Sequence, residues 1–341
     1  MLLLYEIKKL LTTPAILGFC VLCFVFNTII ILAHDNLAAD NTPKPVIENT
    51  FAEYQAADQA EAFIFKNHIT GKNADNVRAL YAKLQPVVDA KAERGEAFSP
   101  YFGIYTPYTH SLLFGTVLPA VIAEGCILAM LLSLLSVGYE NIRNTEYIVY
   151  SSKTGRKIIR EKLAASLISV FALFLGLLLL TLSLFFARFD FSAVWNDYVS
   201  SAYNNAVQAY SRPFISWGSY TVVQYLTVFI GAAFTLVVCF TIMSFALGCF
   251  IRNLYGSCMA AVSICGLMFF TELLLPIGST LRGLLNMSPV GLWLNAGHWF
   301  TDGEADIIHA HFETIGLAGS LIIFSMLCII GATRFRRREL L

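Results

Sequence analysis

The chain has 341 residues, of which 57% are hydrophobic and only 13% are charged. Soluble globular proteins carry about 25% charged residues, so this composition excludes an ordinary soluble domain. Basic and acidic residues balance, at 23 each, so the net charge does not indicate a nucleic-acid partner. Several apolar runs of about 20 residues predict an all-α polytopic membrane protein.

The N-terminal segment, residues 1–14, predicts an amphipathic helix that lies in the membrane interface. Its apolar face would hold Leu3, Leu4, Ile7, Leu10 and Leu11. Its polar face would hold Glu6, Lys8 and Lys9. The apolar runs that follow predict six spans, at residues 15–33, 112–137, 163–186, 220–250, 257–275 and 314–333.

A long polar segment, residues 34–111, separates the first two predicted spans. It is too long for a bare loop, so we expect a helical hairpin outside the membrane. Asn73 or Asp75 is expected to cap its second helix, and Pro86 to kink or end that helix early. Four shorter connections follow. Residues 138–162 form a basic polar loop, residues 187–219 an outer loop, residues 251–256 an inner turn, and residues 276–313 an outer or re-entrant hairpin.

The distribution of Lys and Arg predicts the orientation. The predicted inner side carries Lys8, Lys9, six cations in residues 138–162, Arg252 and four in the tail at residues 334–341. The two shorter outer segments carry only Arg188, Arg212 and Arg282. This positive-inside bias places both termini in the cytoplasm.

Two acidic residues, Glu124 and Glu272, fall inside predicted spans. A carboxylate in lipid is costly, so each should face a helix interface or a hydrated cavity. They are candidates for a translocation path, or structural acids held by hydrogen bonds.

The chain carries no nucleotide-binding G-x-x-x-x-G-K-[ST] and no hydrolase or metalloprotease motif. We therefore predict neither an enzyme nor a cofactor in this chain. Imidazole and carboxylate ligands cluster near the last span, although we interpret them as solvated loop residues rather than a metal site. They are Glu304, Asp306, His309, His311 and Glu313.

The predicted loop between spans two and three is the most informative segment. Its Glu140–Thr145 stretch, Ser151-Ser152, Gly155-Arg156 and Lys162 resemble the coupling segment of type-2 ABC exporter permeases. The resemblance implies a coupling element formed by Glu140, Arg143, Thr145, Glu146, Gly155, Arg156 and Lys162. It also implies a cytoplasmic ATPase subunit that binds ATP and Mg, a second permease subunit and a bacterial cytoplasmic membrane.

On this resemblance, the chain would couple ATP hydrolysis in its partner to export of a peptide, antimicrobial, lipid-like molecule or ion. Two alternatives remain open. One is a proton-coupled secondary transporter that uses Glu124 or Glu272. The other is a membrane sensor or assembly module that uses residues 34–111.

Overall fold

A computed structural model describes residues 2–34, 51–96, 106–151, 155–192, 194–200, 214–251, 253–302 and 307–337. Over these residues the protein is helical and has no β-strand, apart from two isolated bridges. The first half contains α1 Leu2–Leu11, α2 Pro14–Ala33, α3 Ala56–Lys66, α4 Lys72–Glu93, α5 Thr106–Ser111, α6 Leu118–Ile142 and α7 Glu146–Ser151. The second half contains α8 Ile159–Arg188, α9 Val222–Phe250, α10 Leu254–Leu274, α11 Thr280–Asn286, α12 Pro289–Leu294 and α13 Phe312–Arg337.

Among the residues that the structure describes, six helices are long and apolar enough to cross a membrane, which agrees with the predicted number. They are Pro14–Ala33, Thr109–Ile142, Ile159–Arg188, Val222–Phe250, Leu254–Leu274 and Phe312–Arg337. The chain is therefore a multi-pass membrane protein. The second of these helices includes a π-helical stretch, Leu112–Val117, that joins α5 to α6.

Helix boundaries differ from the prediction where polar caps set them. Thr221 and Gln224 form a reciprocal capping box, so α9 begins at Val222 rather than residue 220. The Asn253 side chain accepts a hydrogen bond from the Tyr255 backbone, so α10 begins at Leu254 rather than residue 257. Helices α6 and α8 extend into the predicted 138–162 loop from both ends.

Helices α6 and α9 form the centre of the bundle. The apolar windows of these helices are 67% and 56% buried, compared with 22% for α2 and 17% for α10. Helix α8 approaches α6 closely at Gly125, where an added Cβ would lie 2.5 Å from the Phe174 ring. The exposed apolar faces of α2, α10 and α13 are therefore the surfaces that lipid or another subunit would cover.

Residues 51–96, between α2 and α5, contain a helical hairpin in which α3 packs on α4. Val77, Tyr81, Leu84 and Val88 follow a helical spacing along the buried face of α4. The hairpin is joined to residues 214–219 by the buried Lys91. Its Nζ lies 2.7 Å from Glu96 Oε2 and 3.1 Å from the Gly218 carbonyl oxygen.

The cap predicted for the second helix of this hairpin was wrong, and so was the alternative that Pro86 ends that helix early. Helix α4 starts one residue after Gly71, whose φ of 59° few other residues adopt, and neither Asn73 nor Asp75 is its cap. The helix also continues through Pro86 to Glu93. Buried side chains on both sides of Pro86 hold the two turns in one helix despite the hydrogen bond that proline removes.

The predicted hairpin at residues 276–313 contains two short helices, α11 and α12. Ser279 and Ser288 cap them by accepting hydrogen bonds from the Arg282 and Gly291 backbones. The Trp293 indole donates to the Pro119 carbonyl at 3.2 Å and so ties α12 to α6. Whether this hairpin enters the membrane stays a prediction.

Candidate functional site

Three helices meet where the predicted coupling segment leaves the bundle. Helix α6 contributes Glu140 near its last turn, α8 contributes Lys162 in its first turn, and α1 contributes Glu6 and Lys9. The side chains of these four residues are at most 6% exposed. We call Glu6, Lys9, Glu140 and Lys162 the buried ionic cluster. Two carboxylates and two ammonium groups give it a net charge of zero.

Lys162 is the centre of the buried ionic cluster. Its Nζ lies 2.7 Å from Glu140 Oε2 and 3.3 Å from Glu6 Oε2. It also donates to the Ser136 backbone carbonyl at 2.6 Å, while the Ser136 hydroxyl donates to the Lys162 carbonyl at 3.3 Å. These bonds fix the first turn of α8 against the last two turns of α6, because an unpaired ammonium in this position would be strongly unfavourable.

Lys9 connects α1 to the same cluster. Its Nζ lies 2.5 Å from Glu6 and 3.1 Å from Glu140, and 4.3 Å from the centre of the Tyr139 ring. Burial disfavours the charged form of Lys9, but the hydrogen bond to Glu6 and the charges of Glu140 and Glu6 outweigh it. The pKa of Lys9 is therefore raised above its usual value.

The polar face predicted for residues 1–14 was wrong in part. Glu6 and Lys9 are buried against α6 and α8, whereas Leu4 and Tyr5 are 70% and 65% exposed. The reason is charge complementarity, since both buried residues find opposite charges on the neighbouring helices. Lys8 is exposed, as the amphipathic pattern predicts.

Beyond Glu140 the chain forms a compact projection. The Thr145 backbone donates to the Glu140 carbonyl at 2.9 Å, and α7 begins at the next residue. Tyr147 and Ile148 of α7 are 54% and 74% exposed, although both are large and apolar. The Tyr150 ring packs edge-on against Phe335 of α13, with the ring centres 5.4 Å apart.

The structure brings together only some residues of the predicted coupling element. Glu140 and Lys162 are paired and buried, Arg143 is exposed, and Thr145 and Glu146 are half-buried. Gly155 has a φ of 49°. Glycine adopts this positive φ more readily than other residues, which agrees with a turn at this position. The Arg156 side chain lies outside the described part of the structure.

The first of the two predicted intramembrane acids, Glu124, is hydrogen-bonded to a neighbouring helix. The Asn27 amide of α2 donates to Glu124 Oε2 at 2.8 Å and to the Thr181 hydroxyl of α8 at 3.3 Å. Asn27 and Thr181 were not predicted as site residues. A lone Asn within an apolar run could have indicated them, because a buried amide requires a polar partner.

The second intramembrane acid, Glu272, accepts a hydrogen bond from the Asn295 amide at 2.8 Å. It lies close to Gly291, where an added Cβ would be 2.9 Å from Glu272 Oε2. Glu272 therefore connects α10 to the hairpin of α11 and α12. The described residues contain no group of three metal ligands, and Glu304 and Asp306 lie outside them.

Comparisons with family models, with curated proteins and with solved structures found no match to this chain.

Proposed function

We propose that the chain is the membrane permease subunit of an ATP-binding cassette exporter. Its partners would be a cytoplasmic ATPase subunit, which binds ATP and Mg, and a second permease subunit. The observation that carries the proposal is the geometry around residues 140–162. A short helix with an exposed apolar surface projects from a base that buried ion pairs hold rigid.

The exposed surface suits a protein partner. Tyr147 and Ile148 offer apolar area next to charged and polar groups, which is the composition of a typical interface anchor. The rigid base suits transmission of a displacement. Glu140 and Lys162 join α6 to α8 at 2.7 Å, so a force on α7 would reach both helices together.

The burial of these side chains supports a division of roles among the predicted coupling residues. Glu140 and Lys162 are buried, so they would position the projection and would not touch the ATPase. The contact itself would involve α7 and the exposed Arg143. A charge reversal at Glu140 would therefore disrupt folding before it tested coupling.

The test is co-expression with the ATPase encoded by a neighbouring gene, followed by purification of the complex and measurement of its ATP turnover. Ile148→Asp should weaken association about 10- to 100-fold, since about 1.5–3 kcal/mol of apolar burial is lost. Phe65→Asp is the matched control, because Phe65 is 82% exposed on α3 of the outer hairpin. Normal association of the Ile148→Asp variant would refute the proposal.

A proton-coupled transporter is the second candidate, favoured by the Glu124 interaction with Asn27 in the middle of three helices. It predicts transport that persists without ATP and stops when the proton gradient is removed. Glu124→Gln should then abolish transport. If the ABC proposal holds, the same variant should leave ATP turnover near the wild-type value.

A further inference from the structure

The ends of two apolar helices border an open groove of about 520 Å³. One is the start of α2 at Pro14 and the other is the end of α6 at Ile142. Both helices qualify as membrane spans, so this groove lies at the depth where a span ends and lipid headgroups begin. Its volume is in the range of small-molecule sites.

The groove is basic. Lys8 and Lys9 of α1 and Arg143 after α6 line it. Lys9 is neutralised within the buried ionic cluster, whereas Lys8 and Arg143 form no salt bridge with any residue that the structure describes. Two positive charges are therefore left for an anion.

The other walls suit the remainder of a lipid molecule. The Tyr139 ring lies near both Lys9 and Arg143, with the Arg143 guanidinium 5.8 Å from the ring centre. Leu135 forms part of the wall one turn further into the span. Leu131, one further turn along the same face of α6, is 40% exposed and continues an apolar path for an acyl chain.

We propose that this groove binds the phosphate headgroup of an anionic phospholipid. Lys8 and Arg143 contact the phosphate, and the chain of the lipid follows the exposed face of α6. Free phosphate has the same charge chemistry but no acyl chain, so the Leu135 and Leu131 surface favours the lipid. The inference goes beyond the proposed transport function and does not depend on an ATPase.

The consequence is a link between the lipid and the base of the coupling segment. Lys9 and Tyr139 belong to the wall of the groove, and Lys9 also pairs with Glu140 at 3.1 Å. A bound phosphate would add negative charge beside Lys9 and hold α1 against α6.

The test uses the purified chain in a neutral detergent, with retention of added lipid measured by native mass spectrometry. Phosphatidylglycerol should bind and phosphatidylcholine should not. Each surface cation contributes about 1 kcal/mol of attraction, or about fivefold in affinity. The Lys8→Ala/Arg143→Ala double variant should therefore bind phosphatidylglycerol about 30-fold more weakly.

The matched control is Lys157→Ala/Arg334→Ala, which removes two exposed cations outside the groove. It should change the affinity less than about twofold. An equal loss in this control would show charge attraction without a site and overturn the proposal. Wild-type affinity in the groove variant would also overturn it, and so would displacement of phosphatidylglycerol by an equal concentration of inorganic phosphate. The substituted residues are exposed, and a thermal melt of each variant checks that it is folded.

Discussion

Removing the cation at the centre of the buried ionic cluster should be strongly destabilising. Lys162→Met keeps the approximate volume of the side chain but leaves Lys9 as the one cation of the buried ionic cluster beside Glu6 and Glu140. The carboxylate excess is then buried, because both acids are at most 5% exposed. Breaking a buried pair in this way typically costs about 3–5 kcal/mol of unfolding free energy.

The matched second variant is Glu140→Leu, which leaves an excess ammonium in the same place and should cost a similar amount. Combining both changes leaves Glu6 paired with Lys9 at 2.5 Å and restores a neutral site. The double variant then loses mainly the hydrogen bond from Lys162 Nζ to the Ser136 carbonyl, because the bond from the Ser136 hydroxyl goes to the backbone of residue 162 and remains. A net hydrogen bond to a charged group contributes about 1.5–3 kcal/mol, so the double variant should be no less stable than either single variant.

The assay is the SDS-induced unfolding midpoint of the purified chain in mixed micelles, for the wild type, both single variants and the double variant. A double-mutant cycle isolates the pair energy. The exposed pair of Arg78 and Glu61 is the comparison, because removing it should leave the midpoint close to that of the wild type. If the losses from Lys162→Met and Glu140→Leu simply add, the ion pair is not what stabilises this junction.

Three further changes test other parts of the fold. Gly291→Ala should destabilise the folded protein by about 1–3 kcal/mol, since the added Cβ would collide with the Leu285 carbonyl. Gly231→Ala is the control, because its Cβ meets open space, and this change should leave the thermal melting temperature unchanged or raise it. Asn27→Leu should cost about 1–2 kcal/mol by SDS titration, because two interhelical hydrogen bonds are lost. Burial lowers the pKa of His309 below 6.5, so the unfolded chain binds more protons. Stability should then fall as pH drops below 6.5, and His309→Gln should reduce that dependence in thermal melts.

The spans could be predicted from the sequence because their signal is local. A run of about 20 apolar residues needs no partner to be recognised, and each of the six appeared as a helix. The ends were less predictable. Capping residues such as Thr221 and Asn253 determine where these helices begin, through hydrogen bonds to residues two or three positions later. The apolar run itself does not show where those caps lie.

The candidate site could be predicted only in part. Glu140 and Lys162 lie on the two sides of one polar segment, so the sequence brings them close together. Glu6 reaches Lys162 from a distance of 156 positions and Lys9 reaches Glu140 from 131, and no local pattern predicts those contacts. An amphipathic pattern assigns charged residues to the solvent-facing side of a helix. This assignment is wrong for Glu6 and Lys9 of α1, because neighbouring helices supply opposite charges.

Stability alone does not explain why four charges meet between α1, α6 and α8. Apolar residues of similar volume would often be equally or more stabilising in a buried site. The charges do, however, make the packing of α1 specific. A slip of α1 by one turn, about 5.4 Å, would carry Glu6 and Lys9 beyond reach of Lys162 and Glu140. Each charge left unpaired would cost several kcal/mol, so the buried ionic cluster permits one register of α1 where a purely apolar contact would tolerate several.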